Sequence, residues 1–402
     1  MLNHRKTLSF ILYLHYFLIF ICVIKKNKLF LQTILAMSTI MSISIIIPIY
    51  NAGDYIGACI DSIFSQECDE ADLECILVND CTPDNSMEIV NNKLNSYNGD
   101  IHFKVIHLDK NSGHCAARNA GIRVSKGDYL LFIDSDDALK PNVIKLFIEA
   151  IKSNGGNNVD VVMGNSFFNF HNLKMNFDKD TPFLIDNSDE SALRMLLSQR
   201  LKQHSWNKLV KRSVFTEQQL YFHEGIINED ILWSYLLFRQ MKNLVIIPDV
   251  TYLYNENNPI GISNTTSLRT KDIIKSRITI LNTILDNPPQ FQKSRTDYYS
   301  YILFFLTRTI DTFERNKKQA SDYHEGMHAL KIRFFKDIWN NKLYLFYLFS
   351  LTITKPFFYL LYLQLYRRYF WKIQEIIVSL QKAFIGSTDP QIKKALIINN
   401  NA

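Results

Sequence analysis

The sequence predicts an open α/β sheet, mostly parallel and flanked by helices, followed by a helical C-terminal extension. Three observations carry this. Short apolar, β-branched runs such as Ile45-Ile46-Ile47 and Leu130-Leu131-Phe132-Ile133 suit strands covered on both faces. Stretches with apolar residues at helical spacing separate them, which implies right-handed crossovers between parallel strands. Polar and aromatic residues gather where each strand ends, the place where such sheets bind ligands.

The elements follow in order from Ser42. "SISIIIPIY" is the first strand, and "GDYIGACIDSIFSQ" places Tyr55, Ile56, Cys59, Ile60, Ile63 and Phe64 at helical spacing. "LECILVND" is a second strand, and "DNSMEIVNNKLNSY" a second helix with Asp84, Asn85 and Ser86 as cap candidates. "IHFKVIHL" is the third strand, "SGHCAARNAGIRVSKG" a helix closing at Gly127, and "DYLLFIDSDD" the fourth strand. Beyond Pro141 the regularity loosens through "VIKLFIEAIK", "VDVVMGN", "HSWNKLVKRSVF", "INEDILWSYLLFRQ", "NLVIIPD" and "VTYLYNEN". From about Thr270 the chain reads as helical, including "SYILFFLTRTIDTF". The expected divisions are an apolar N-terminal segment (1–41), a catalytic domain (42–267) and the helical extension (268–402).

Composition narrows the function. The 402 residues carry a formal net charge of +6, with 47% hydrophobic and 21% charged residues, enough to bury a core. There is no long basic run and no finger or zipper pattern, so nucleic acid is not an expected partner. The six cysteines, Cys22, Cys59, Cys68, Cys75, Cys81 and Cys115, form no C-x-x-C pair and are read as reduced thiols rather than a zinc site or disulfide framework. At the N-terminus, "LSFILYLHYFLIFICVI" (Leu8 to Ile24) is close to the shortest apolar run that spans a bilayer, with basic flanks. It is read either as a transmembrane helix, leaving the rest of the chain cytoplasmic, or as an upstream extension ahead of a start at Met37 or Met41. Leu343 to Lys372, mixing Tyr, Phe and Trp with Lys and Arg, suits a membrane interface or a pair of packed helices. The expected location is the cytoplasmic face of the cell membrane.

The strand ends supply the candidate site. They deliver Pro48, Tyr50 and Asn51, then Asn79 and Asp80, then Asn111-Ser112-Gly113 with Arg118 a turn later, then Asp134 and Asp136. Asp134, Asp136 and Asp137 stand together behind an apolar run, and like charges so close call for a positive partner. A hard divalent cation, Mg²⁺ or Mn²⁺, suits carboxylate and phosphate oxygens.

In this order, "SIIIPIYNAGDYIGACIDSIFSQ", "LECILVNDCTPDNS", "NSGHCAARNAGI", "KGDYLLFIDSDD", "SWNKL" and "NED" resemble a family 2 glycosyltransferase with the GT-A fold, over Ser42 to about Ser263. The resemblance implies inverting transfer of a sugar from a nucleotide donor, with a UDP-sugar favoured and a GDP-sugar allowed, to an acceptor hydroxyl; the membrane-like C-terminal segment is what suggests a glycan or lipid-linked acceptor. It implies that Pro48, Tyr50 and Asn51 border the nucleotide, with Tyr50 stacked on the base. Asp80 would hydrogen-bond the base, and Arg118 would lie near the nucleotide. Asp134 and Asp136 match D-x-D, with Asp136 as the metal ligand, and Asp230 matches the catalytic base. Two positions depart from the family's V-D-D-G-S pattern, Asn79 for the first Asp and Cys81 for Gly. Lys208 is a candidate to face the diphosphate. His114, His204 and Trp206 are read as structural, and Tyr252 and Tyr254 as core or acceptor-side residues. Asp230 opens a helix whose dipole favours the carboxylate, while burial opposes it. The rival readings are a nucleotidyltransferase, which lacks a Gly-rich phosphate loop here, and an inactive nucleotide-fold scaffold at the membrane. A processive synthase would carry Q-x-x-R-W, whereas Gln364-Leu365-Tyr366-Arg367-Arg368 ends in Arg.

Overall fold

The computed structural model describes residues 40–66, 69–168, 171–173, 182–255, 258–259, 269–318 and 320–341. The apolar N-terminal run, the aromatic segment from Leu343, Cys22 and Cys68 lie outside the described residues.

The chain begins as a regular alternation: β1 (Met41–Ile49), α1 (Ile56–Phe64), β2 (Ala71–Asn79), α2 (Ser86–Ser96), β3 (His102–His107), α3 (His114–Val124) and β4 (Tyr129–Phe132). After β5 (Ala138–Leu139) come α4 (Val143–Ser153), β6 (Val161–Phe168), β7 (His171–Leu173), β8 (Phe183–Asp186), α5 (Ser191–Leu197), β9 (Lys208–Lys211), α6 (Arg212–Thr216), α7 (Glu229–Gln240) and β10 (Asn243–Tyr254). Three further helices are α8 (Thr270–Asp286), α9 (Arg295–Arg315) and α10 (His324–Asn340). All the strands join one sheet, ordered β3-β2-β1-β4-β9-β6-β10-β5, with β7 beside β6 and β8 beside β10.

The first four strands are parallel, as the alternation requires. Beyond β4 the sheet becomes mixed, because β9 runs antiparallel to both β4 and β6. Two reversals bring β6 back to the direction of β4. The ends of β1, β2, β3, β4 and β6 and the start of β9 therefore share one rim.

Strand alternation sorts the core into two layers. Ile45, Ile47, Leu131 and Ile133 face α1 and α4, while Ile46, Ile76, Leu130 and Phe132 face α3 and α7 to α10. Each such fully buried side chain stabilises the fold by about 1.5–3 kcal/mol. Gly121 lets α3 sit close on β1: a Cβ there would lie 2.5 Å from Ile46 Cγ2. Helix α9 presents little to solvent, burying Tyr298, Tyr299, Tyr301, Ile302 and Leu306 among others. The C-terminal helices share the apolar cluster of the α3 face and so form part of the same core. Among the described residues, no helix is long and apolar enough to cross a membrane.

Candidate active site

The rim is built by two loops that satisfy each other. Three consecutive N–H groups after β1 donate to side chains after β2: Asn51 to Thr82 Oγ1 (2.8 Å), Ala52 to Ser86 Oγ (3.0 Å) and Gly53 to Asp84 Oδ2 (2.8 Å). A Cβ on Gly53 would meet Asn85 Oδ1 at 2.3 Å, so a larger residue here would have to push the Asn85 side chain aside. Of the cap candidates, it is Asp84 that takes the Ser86 N–H, at 3.2 Å. Burial would raise Asp84, but hydrogen bonds from Ser86, Thr82 and Gly53 outweigh it and hold the carboxyl below its ordinary range.

The two departures from the family pattern have local accounts. Asn79 accepts the Thr82 N–H at its Oδ1 (2.8 Å), and its Nδ2 meets His107 Nδ1 at 3.0 Å. An amide both donates and accepts, so it ties the loop to β3 in a way a carboxylate does not. Cys81 sits at φ 55, in the left-handed region where glycine is unstrained. Pro48 is buried in β1 opposite Val78. Its missing N–H points to the side where β4 has already ended, opposite Ile46, so no ladder bond is lost. Tyr50 follows, a residue 42% exposed at the rim. Asp80 is buried, and each of its carboxylate oxygens accepts one backbone N–H, from Ser112 and Gly113, both at 2.7 Å. It thereby fixes the loop that leads into α3.

Arg118 is the centre of the site. It is 3% exposed, with Nη2 2.6 Å from Asp134 Oδ1 and Nη1 2.7 Å from Glu229 Oε1. Its guanidinium lies over the Phe222 ring, 5.1 Å from the centroid. One cation therefore joins the end of β4 to the start of α7 and is committed to those two carboxylates. The next residue, Asn119, holds the segment before α7 by bonding the Phe222 backbone and Glu224. His114 also pairs with Glu229, at 2.8 Å. Burial would raise Glu229, but His114 and Arg118 hold it down at about 2.

The acidic cluster retains more negative charge than Arg118 offsets. Asp136 is half-buried, accepts from Asn258 Nδ2 (2.8 Å), and is raised by burial and by Asp134. Asp137 is buried and pushed up to about 9 by burial, then by Asp134 and Asp136. Tyr252 organises the cluster from β10: its hydroxyl accepts the Asp134 N–H (3.1 Å) and donates to Asp137 Oδ2 (2.7 Å). The surplus charge and the all-oxygen donor set fit a hard divalent cation.

Asp230 lies in the first turn of α7, next to Glu229, where it feels the charges of both Arg118 and Asp134. Burial prevails over the helix dipole: the carboxyl is pushed up to about 7 by burial and by Glu229, with Arg118 opposing. Its Oδ1 is fully covered and lacks a well-formed hydrogen bond. Trp206 is core, stacked between His204 (4.3 Å) and Tyr252 (4.4 Å). Lys208 is completely buried and donates to the His204 carbonyl. Sequence reasoning missed Glu229, Tyr252 as an organiser of the acidic cluster, and Asn258. Only the adjacency of Glu229 to Asp230 hinted at any of them.

Comparison with known proteins agrees with this architecture. Residues 44–217 match the sequence model of glycosyl transferase family 2. Glycosyltransferase GlyG of Streptococcus pneumoniae is 29% identical over 229 residues, covering 54% of this chain and 71% of that protein. The poly(ribitol-phosphate) beta-glucosyltransferase of Bacillus spizizenii is 30% identical over 53% of this chain and 32% of its own length. The next three curated relatives after GlyG are matched over 50%, 61% and 56% of their lengths, so the chain spans only part of most of them. The crystal structure of Staphylococcus aureus TarS 1-349 in complex with UDP-GlcNAc shares the fold, with a TM-score of 0.53 at 16% identity, covering 75% of this chain and 92% of that one. By its ordered motifs, its sheet and these likenesses, residues 44–217 of the chain are similar to glycosyl transferase family 2.

Proposed function

We propose that the protein is a metal-dependent, inverting glycosyltransferase that builds a cell-surface glycan or polymer at the cytoplasmic face of the membrane. The observation that carries this is Arg118, which ties Asp134, just past β4, to Glu229 in the first turn of α7, beside Asp230.

In this reading the nucleotide lies along the rim, its base against Tyr50, bordered by Pro48 and Asn51. Asp80 acts one step back, by fixing the loop from Ser112. Asp136, with Asp134 beside it, would hold Mg²⁺ or Mn²⁺, which neutralises a leaving diphosphate. Asp230 is the base. It takes the proton of the acceptor hydroxyl while that oxygen bonds the anomeric carbon and the diphosphate leaves with its electron pair. Attack opposite the leaving group inverts the centre. A carboxyl held at about 7 is poised for this at neutral pH. A UDP-sugar is the favoured donor, supported by the UDP-GlcNAc bound to the TarS structure of like fold. A polymer or lipid-linked acceptor is supported by relatives named for poly(ribitol-phosphate) transfer. The divisions expected from sequence, a catalytic domain over 42–267 followed by a helical extension, belong to the same proposal, with helices α8 to α10 packed on the core of that domain.

The test is a screen of sugar nucleotides for turnover with Mn²⁺ or Mg²⁺. Release of nucleoside diphosphate is expected, and Asp136→Asn or Asp230→Asn should abolish it in a folded protein. Release of pyrophosphate would mean a nucleotidyltransferase, and no nucleotide binding at all a scaffold.

A further inference from the structure

Asp230 faces a second, buried set of polar groups. Asp230 and Ser234 lie one turn apart on the same face of α7. Ser234 Oγ donates to the Gln203 carbonyl, so this face rests on the segment that runs from Gln203 into β9. That segment is fixed from behind, where Gln203 Nε2 donates to Tyr301 of α9 at 2.9 Å. Register sets the rest: β9 pairs Leu209 with Leu131, which puts Lys208 beside Phe132, at the end of β4 that leads to Asp134. Lys208 is 0% exposed and folds back to the His204 carbonyl, its hydrogen-bond partner among the described residues. Ser205 is also 0% exposed, and its hydroxyl lies close enough to the Asp230 carboxyl to favour the ionised form, without meeting it in a well-formed hydrogen bond. Asp230 Oδ1 is likewise fully covered and lacks a well-formed hydrogen bond. A buried ammonium and a buried hydroxyl on residues 203–208 thus both act on the carboxyl of Asp230 across from them. Left unpaired, each would carry a substantial desolvation cost.

We propose that Lys208 and Ser205 are positioning residues for Asp230. The ammonium keeps the carboxylate ionised, and the Ser205 hydroxyl holds Oδ1 so that Oδ2 is left to receive the acceptor proton. This deepens the reading of Asp230 as the base and rests on it. The other charges around Asp230 do not favour its carboxylate on balance. Glu229 on the same helix and Asp134 from β4 disfavour the carboxylate, and Arg118 from α3 favours it but is shared with both. Cys115 of α3 lies within the field of Asp230, and His204 is kept neutral by burial and by Lys208 and Lys202. Lys208 is the cation that β9 contributes. Burial draws it down to about 7, and Asp230 opposes that fall, so each group favours the charged form of the other.

The direct test follows the Asp230 carboxyl by ¹³C NMR in the full chain carrying labelled aspartate, with Asp230→Asn to assign the signal. In Lys208→Met the midpoint should rise by at least one unit, because a positive neighbour has been removed. Turnover near pH 7 should fall about tenfold, recover as pH rises, and leave KM for the donor unchanged. Ser205→Ala removes one oxygen atom and should shift the midpoint in the same direction by less, which keeps the test open if Lys208→Met folds poorly. An unmoved midpoint in both variants overturns the proposal. So does an equal loss of activity at every pH with a raised donor KM, which would place Lys208 on the diphosphate instead. Shifted midpoints in a protein that turns over no sugar nucleotide would leave this pairing standing and remove the transferase reading alone.

Discussion

Replacing Arg118 with Met should loosen the two halves of the cleft from each other. The guanidinium makes two charge-assisted bonds, 2.6 Å to Asp134 and 2.7 Å to Glu229, while almost wholly buried. With about 4 Å between charge centres and an effective dielectric near 20, each pair is attractive by roughly 4 kcal/mol. Desolvation of the ions offsets much of that sum in the intact protein. In the variant the offset works the other way, because Glu229 is left buried with only His114, and Asp134 loses its counter-charge beside Asp136. The net loss should be about 3–5 kcal/mol. At about 2–4 °C per kcal/mol, thermal unfolding should move down by roughly 6–20 °C. The assay is calorimetry on the wild type, Arg118→Met, Glu229→Gln and the double variant. The double variant should lose clearly less than the sum of the two single losses, since they share one interaction. A loss under about 1 kcal/mol in Arg118→Met, or strict additivity in the cycle, would refute the claim that Arg118 ties β4 to α7.

Two further outcomes follow from the same geometry. Gly121→Ala sets helix propensity against packing: alanine favours the helix by about 1 kcal/mol, but the Ile46 collision should cost about 1–3 kcal/mol. A net destabilisation by chemical denaturation is expected, and a more stable variant would show that α3 has room to move. Acid should act through Glu229, whose carboxyl drops from an ordinary 4.5 to about 2 on folding. The folded state then binds fewer protons, so this stabilisation is present above pH 4.5 and is lost as pH falls toward 2. The melting-temperature gap between wild type and Glu229→Gln should close over that window. A gap that stays constant would contradict the account.

The parallel half of the sheet was legible because each strand is a continuous apolar run and each crossover a helix, two periods that are hard to confuse. The run Ile45-Ile46-Ile47 even shows both faces, since successive residues enter different core layers. The antiparallel insertion of β9 was not legible. Four residues, Lys208 to Lys211, carry no period long enough to read, and a lysine at their head argues against burial until its partner is known. The acidic rim was visible as Asp134, Asp136 and Asp137 in one short stretch. What joins it to α7 was not, since Arg118 and Glu229 lie 111 positions apart. Tyr252 looked like a core residue and is one, yet its hydroxyl also fixes Asp134 and Asp137. Sequence could name the opposing effects on Asp230, dipole against burial. Only the packing of α7 against residues 203–208 decides between them.

The central claim is that the acidic rim binds a nucleoside diphosphate through a divalent cation. Calorimetric titration of UDP into the wild type and into Asp136→Asn, each with Mn²⁺ and then with EDTA, addresses it most directly. The account predicts UDP binding that requires Mn²⁺ in the wild type and is lost in Asp136→Asn. Equal affinity in all four titrations would contradict it.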